Sequence, residues 1–100
     1  MATTSKVLAR TAAATSSTTL YTVPASTTTV VTNIAVTNSA TSAATFTITL
    51  DTVDLFKDAA LEANSTAFFD LKQVLATTKV IAGLASETTV KFHISGVEIV

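Results

Sequence analysis

The sequence predicts an all-β protein, an antiparallel β-sandwich of jelly-roll-like character with about eight short strands, and three observations support it. The stretch 20–38, Leu-Tyr-Thr-Val-Pro-Ala-Ser-Thr-Thr-Thr-Val-Val-Thr-Asn-Ile-Ala-Val-Thr-Asn, places the only proline, Pro24, between two runs rich in β-branched residues. The stretch 45–51, Thr-Phe-Thr-Ile-Thr-Leu-Asp, alternates Phe46, Ile48 and Leu50 with hydroxyls, and that spacing puts the apolar side chains on one face of a pleated strand. Similar segments recur roughly every 8–12 residues between clusters of Asn, Asp and Ser, the spacing expected of a sandwich.

Length and composition bound the rest. A chain of 100 residues is one domain with a modest core, divided here into an N-terminal arm or edge strand at 1–17 and a single β-sandwich at 18–100. Charged residues are 13% of the chain, about half the usual share, so hydroxyls and methyls must cover much of the surface. With a net charge of -1, little repulsion separates copies, which suggests that neighbours in an assembly cover part of that surface. Six Lys plus Arg against seven Asp plus Glu, with no basic run, exclude the phosphate-neutralising stripe of a nucleic-acid binder. There is no cysteine, hence no disulfide framework or thiolate metal site. The first residues lack the apolar core of a signal peptide, and no apolar run approaches the roughly 20 residues of a membrane helix, so the expectation is a protein made in a cytoplasm, with no membrane partner.

Taken in order, residues 2–19 are mostly Thr, Ser and Ala, with Lys6-Val7-Leu8-Ala9-Arg10 the one stretch mixing apolar and charged side chains. In a strand Lys6, Leu8 and Arg10 share a face, which buries no clean apolar side. Pro24 fixes its own φ and pushes Val23 toward an extended conformation, so 20–38 reads as strand, turn, strand, a hairpin or corner. Beyond it, Val30, Thr32, Ile34, Val36 and Asn38 form the more apolar face and should meet the core. Residues 38–42 are a turn, 45–51 a strand, 51–61 a strand with a loop, and 62–65 a turn. Residues 66–71 are a strand, 72–78 a connection carrying Val74 and Leu75, and 79–85 a strand. After a tight turn at Ser86-Glu87, the last strand runs to Val100 with Val90, Phe92 and Ile94 opposite Lys91, His93 and Ser95. Gly96 marks a bulge or a close backbone approach in that strand. Only two glycines serve the whole chain, so Asn, Asp and Ser must fill its turns.

No catalytic constellation is visible. His93, the one histidine, lies on the polar face by alternation and lacks an orienting acid, a nucleophile or metal-binding companions, so it reads as a surface residue. Asp51, Asp54, Asp58 and Glu62 recur every three or four residues, but without the alternating oxygen ligands and central glycine of a calcium loop they read as solvated charges. Asn64-Ser65-Thr66 fits a glycosylation triplet by chance. There is no phosphate loop and no nucleophile elbow. The residues therefore indicate no enzyme, no metal and no cofactor.

Several stretches together resemble the small β-sandwich virion structural proteins of tailed bacteriophages. They are Leu20-Tyr21-Thr22-Val23-Pro24-Ala25 leading into Val30-Val31-Thr32-Asn33-Ile34, the alternating strand after it, 61–71 with Phe69-Asp70-Leu71, and Ile94-Ser95-Gly96-Val97-Glu98-Ile99. The similarity covers most of 18–100. In such proteins a glycine usually follows the proline-alanine pair; here Ser26 stands there, and the common glycine before the Phe69 strand is absent.

The resemblance implies a capsid decoration (cement) protein that binds outside a phage head and stabilises contacts between major capsid subunits, or a neck, tail or fibre accessory protein. It implies a virion location, partners among the major capsid protein or other virion proteins, and a homo-oligomer, trimer or dimer. Candidate contact residues are Lys6, Leu8 and Arg10 in the arm, and Phe56 or Phe68, one of which a thin core leaves exposed. A different class, a carbohydrate-binding or adhesion sandwich, would need Tyr21, Asn33 and Asp54 to converge on one patch; with no Trp and a single Tyr its stacking platform is poor.

Overall fold

The β-branched and hydroxyl-rich segments form eight strands: β1 (Thr3–Ala12), β2 (Thr18–Thr22), β3 (Thr28–Asn38), β4 (Ala44–Leu50), β5 (Val53–Leu61), β6 (Ser65–Leu75), β7 (Val80–Ala85) and β8 (Val90–Ile99). They are seen in a computed structural model that describes residues 2–100. The strands make two antiparallel four-stranded sheets, sheet A in the order β1-β8-β3-β6 and sheet B in the order β2-β7-β4-β5. The pairs β1·β8, β2·β7, β3·β6 and β4·β5 are nested inside one another, so the chain is a long hairpin bent at β4–β5 and rolled into two layers, the jelly-roll-like arrangement that the strand count suggested. The result is a slab of 46 × 21 × 17 Å.

The Pro24 segment is a corner. β2 lies in sheet B and β3 in sheet A, and the chain crosses between layers through a turn in which Ser26 takes φ 55°. Val23 beside it is buried. The tip between β4 and β5 is a two-residue loop, Asp51-Thr52, with φ of 53° and 64°, the left-handed pair of a type I′ hairpin. Asn64 and Thr78 hold the other left-handed turn positions, while Gly83 and Gly96 lie inside strands. Asp, Asn and Ser thus supply most of the turn chemistry expected of so glycine-poor a chain, and Thr52 and Thr78 do so against the preference of a β-branched residue.

The core lies between the layers. β4 buries Phe46, Ile48 and Leu50, and β8 buries Val90, Phe92 and Ile94, both as their alternation predicts. Phe46 is the hub of an aromatic cluster, with ring centroids 5.6 Å from Phe56, 6.3 Å from Phe69 and 6.4 Å from Phe92. Phe46 and Phe56 come from sheet B, Phe69 and Phe92 from sheet A, so these rings bind the layers together. Every buried side-chain N or O atom among the described residues has a hydrogen-bond partner. Asn38, 1% exposed, donates from Nδ2 to the carbonyls of Ser42 and Glu62, and its Oδ1 accepts from the Ala40 amide and the Thr89 hydroxyl. One side chain thereby fixes three loops.

Sheet A departs from simple alternation along one transverse line. Register shifts between Val7 and Ala9 on β1 and between Val31 and Asn33 on β3 leave Leu8 and Thr32 as extra residues beside the same part of β8. β6 carries a further extra residue there, because Val31 faces Gln73 while Asn33 faces Asp70. These bulges correct two expectations. Val31, not Val30 or Thr32, is in the core, and the inward pattern resumes at Ile34. Lys6 and Leu8 lie on the inward side, opposite and beside Gly96, while Arg10 pairs with His93 on the outer side, so the three do not share a face. A one-residue insertion inverts every side chain beyond it. Residues 72–75 are also strand rather than connection, since Gln73, Val74 and Leu75 pair with Val31, Val30 and Thr29.

Gly96 makes this line of bulges feasible. A Cβ built on it would lie 2.3 Å from the Val30 carbonyl oxygen and 2.9 Å from Leu8 Cδ1, whereas at Gly83 the nearest atom, Leu20 Cδ1, would be 3.0 Å away. Gly96→Ala must therefore displace backbone and is expected to lose about 3 kcal/mol or more of stability, against about 1 kcal/mol for Gly83→Ala, in urea titrations. Equal losses would show that close approach at Gly96 is not limiting. Thr52→Gly should raise stability by about 0.5 kcal/mol, since relief of a left-handed β-branched residue slightly exceeds the added chain entropy. An unchanged midpoint would mean that the tip is unstrained.

Candidate functional site

Two arrangements of side chains stand out from the packed scaffold: a polar tie between the layers, and the uncovered outer face of sheet A.

The tie begins at Tyr21. β2 pairs it opposite buried Ile81, so its ring points between the sheets. A bulge at Leu20 sets this orientation. Its hydroxyl is 2.8 Å from Thr29 Oγ1 on β3 and donates to Glu98 Oε2 on β8. Lys6 Nζ on β1 lies 3.4 Å from both Glu98 carboxylate oxygens. One hydroxyl from sheet B thus meets two strands of sheet A, and Lys6 joins a third through Glu98. Burial, and then the hydrogen bond to Glu98, push the tyrosine pKa above its ordinary value. The tyrosine hydrogen bond, helped by Lys6, holds the Glu98 carboxyl below the ordinary range. The residues joined here come from Leu20-Tyr21-Thr22-Val23-Pro24-Ala25 and from Ser95-Gly96-Val97-Glu98, two stretches that the sequence shows 70 or more positions apart.

On the outer face of sheet A, registry aligns rows of side chains across all four strands. One row is Ser5, Val97, Val30 and Val74; another is Arg10, His93, Ala35 and Phe68; a third is Ala12, Lys91, Thr37 and Thr66. Phe68 is 73% exposed, Val74 68% and Val7 44%. Phe68 faces out because its neighbours Ala67 and Phe69 pack against the core, as the alternation of β6 requires. Shallow depressions follow the bulge line on this face, one lined by Thr32, Asp70, Leu71 and Lys72, the other by Ser5, Val7, Thr32, Ser95 and Val97 among others.

The candidate contact residues fall into different settings. Lys6 is engaged by Glu98. Leu8 is 7% exposed within the core cluster, tucked over Gly96 by its bulge. Phe56 is half-buried, its centroid 4.3 Å from that of Phe69. Arg10 and Phe68 are exposed and share a row of the outer face. Val74 escapes a reading of 72–78 as a connection; carrying the strand alternation through the bulge would have found it. The linkage of Tyr21 to Glu98 has no short-range signal, because the residues meet only through the sheet order.

Tyr21, Asn33 and Asp54 do not converge. Tyr21 faces between the layers, Asn33 donates to Asp70 on the outer face of sheet A, and Asp54 sits beside the β4–β5 tip in sheet B. Asp51 pairs with Lys79 and Asp58 with Lys57, and among the described residues no three His, Cys, Asp or Glu side chains gather as metal ligands. No helix among the described residues is long and apolar enough to cross a membrane.

Neither a family model nor a curated protein matches the chain. Among the solved structures similar to it are two crystal structures of a pentameric capsid protein isolated from metagenomic phage sequences. One matches with a TM-score of 0.39 and 15% identity over 96% of this chain and 59% of that one. The other, solved by iodide SAD phasing, matches with a TM-score of 0.38 and 19% identity over 96% of this chain and 60% of that one. The chain thus spans about 60% of the length of those proteins. TM-scores and identities this low transfer no role to it.

The tie makes stability pH-dependent at both ends. The folded pKa of Glu98 lies below its ordinary value, so its contribution is complete above the ordinary value near 4.5 and is lost as pH falls through the lowered folded value. That of Tyr21 lies above 10.0, so its contribution is complete below 10.0 and is lost as pH rises through the raised value. Urea midpoints against pH should show a plateau between these limits. Glu98→Gln should flatten the acid limb, and Tyr21→Phe should remove the alkaline one. An acid limb unchanged in Glu98→Gln would mean that the tie contributes nothing.

Proposed function

We propose that this chain is a non-catalytic structural protein of a phage virion, a decoration protein that lies on the outside of the head and stabilises contacts between major capsid subunits. The observation that carries this reading is the outer face of sheet A. It is a pleated surface on which Phe68, Val74 and Val7 are exposed, with Val30 and Val97 in the same row as Val74, on a chain with few charges to hydrate it, and exposed apolar side chains of this kind are suited to burial against a partner. A protein partner such as a capsid subunit fits it better than a small ligand, because its depressions are shallow and offer few convergent polar groups.

Two further features support the reading. Two of the stretches that resemble phage virion proteins, 20–25 and 94–99, are joined by Tyr21 and Glu98, so part of the resemblance falls on the scaffold's own cross-tie. The nested strand order is one that capsid domains use, as do lectins and cupins, which makes it an analogy of fold only. A rigid slab suits the work of a clamp. A part that binds only the assembled shell stabilises it by mass action, about 2.7 kcal/mol per site at a free concentration one hundred times its Kd.

The test is the copy number per purified particle, by quantitative densitometry against the major capsid protein. A ratio approaching one copy per capsid subunit is expected. A few to a few dozen copies would move the protein to the neck, tail or fibres, and absence from particles would overturn the virion reading. Binding to stripped heads should weaken about tenfold or more in Phe68→Ser, with little change in its melting temperature, since so exposed a ring contributes little to the fold.

A further inference from the structure

We propose that the two free edges of sheet A are complementary to each other, so that β6 of one copy of this chain pairs antiparallel with β1 of the next. This goes beyond the virion reading and stands or falls separately from it.

Strand polarity permits the pairing. β1·β8, β8·β3 and β3·β6 are all antiparallel, so β1 and β3 run one way and β8 and β6 the other. A second copy placed in the same orientation beside β6 presents its β1 with the polarity that continues the sheet. Both edges are long, 10 and 11 residues, and neither has a strand on its outer side among the described residues. Each edge carries one bulge and charged side chains, Lys6 and Arg10 on β1 and Asp70 and Lys72 on β6, but exposed edges of that length still offer a template for strand addition.

Side chains favour β1 of a second copy as the occupant. Lys6 is neutralised by Glu98, which leaves Arg10 as the cation of β1 with no ion pair among the described residues. Asp70 on β6 is bonded only to the neutral amide of Asn33. Extending the rows across the junction sets Arg10 of the next copy beside Phe68, and Asp70, two residues along β6, within its diagonal reach. Arg10 would thereby gain both the aromatic face and the carboxylate. In the adjoining row Ala12 of the next copy meets Thr66, small side chains that let backbones approach. Lys72 lies within the bulge, two residues beyond Asp70, and makes no ion pair with it. Because two different edges meet, the contact is head-to-tail and builds a ring or a filament.

Sedimentation velocity on the full-length chain tests this. The wild type should show a concentration-dependent mass above the 10.3 kDa of one chain. Arg10→Asp and Asp70→Arg should each weaken association about tenfold, with circular dichroism and melting unchanged, and the double reversal should restore it. Register is read independently by Ala12→Cys with Thr66→Cys in a chain that has no native cysteine. Directly opposed antiparallel residues are about 4.5–5.5 Å apart at Cα, within disulfide range, so oxidation should produce covalent multimers. A wild type that stays at the mass of one chain, a double reversal that does not recover association, or an oxidised cysteine variant that stays monomeric would each overturn the proposal.

Discussion

The position of β8 is the constraint on which the rest of this protein depends. The last strand of the chain lies between the first and the third in sheet A, and its inward row of Val90, Phe92, Ile94, Gly96 and Glu98 reaches the core, the bulges and the tie in turn. β1 pairs with β8 alone, so the amino-terminal strand has no place until the carboxyl-terminal one has arrived. Of all the strand pairs only β4·β5 is joined by a tight turn. Each other pair must close a longer loop before its contacts form, which puts this protein among the slower, topologically complex folders.

A chain with little charge and few glycines needs another way to choose one register over its neighbours, since a run of threonines pairs almost equally well after a slip. Polar side chains set at particular loops do this. Asn38 satisfies three loops, the Thr77 hydroxyl accepts from the Thr27 amide and donates to its carbonyl, and the Thr47 hydroxyl accepts the Asp58 amide where β5 bulges. A slip of one residue would strand each of these buried groups without a partner, a penalty of about 1–3 kcal/mol apiece. Threonine is therefore more than a β-former here, because its methyl packs while its hydroxyl holds register.

The sequence made the fold class and the strand count legible, because alternation is a local property and survives in 45–51 and 90–95 without interruption. The corner at Pro24 and the close approach at Gly96 were legible for the same reason: each residue type admits few backbone settings. What was hidden is the consequence of bulges. Leu8 and Thr32 look like ordinary members of an alternating run, yet each shifts its strand by one residue, so the faces assigned to Val30, Val31 and Arg10 follow from the neighbouring strand rather than from the residues themselves. The outer face was legible only as the choice of Phe56 or Phe68 for the ring a thin core leaves out; Arg10 was hidden by the bulge at Leu8 and Val74 by reading 72–78 as a connection, and the Tyr21–Glu98 tie was invisible because only the sheet order unites its ends.

The two sheets treat their edges differently, and the difference bears on what each can meet. In sheet B, β2 has 5 residues, and β5 is bulged twice, with Asp58 at φ 47° and charged Lys57 beside it. Short length, bulging and exposed charge all oppose strand addition. In sheet A each edge strand is bulged once, at Leu8 and at Leu71-Lys72, and carries charges, but both are about twice the length of β2, and β6 carries Phe68 and Val74 outward. A monomer selected to stay single would gain by guarding both sheets alike. The difference in edge length instead gives the slab a direction, with sheet B presenting a short edge and a doubly bulged one and sheet A presenting the two longer ones.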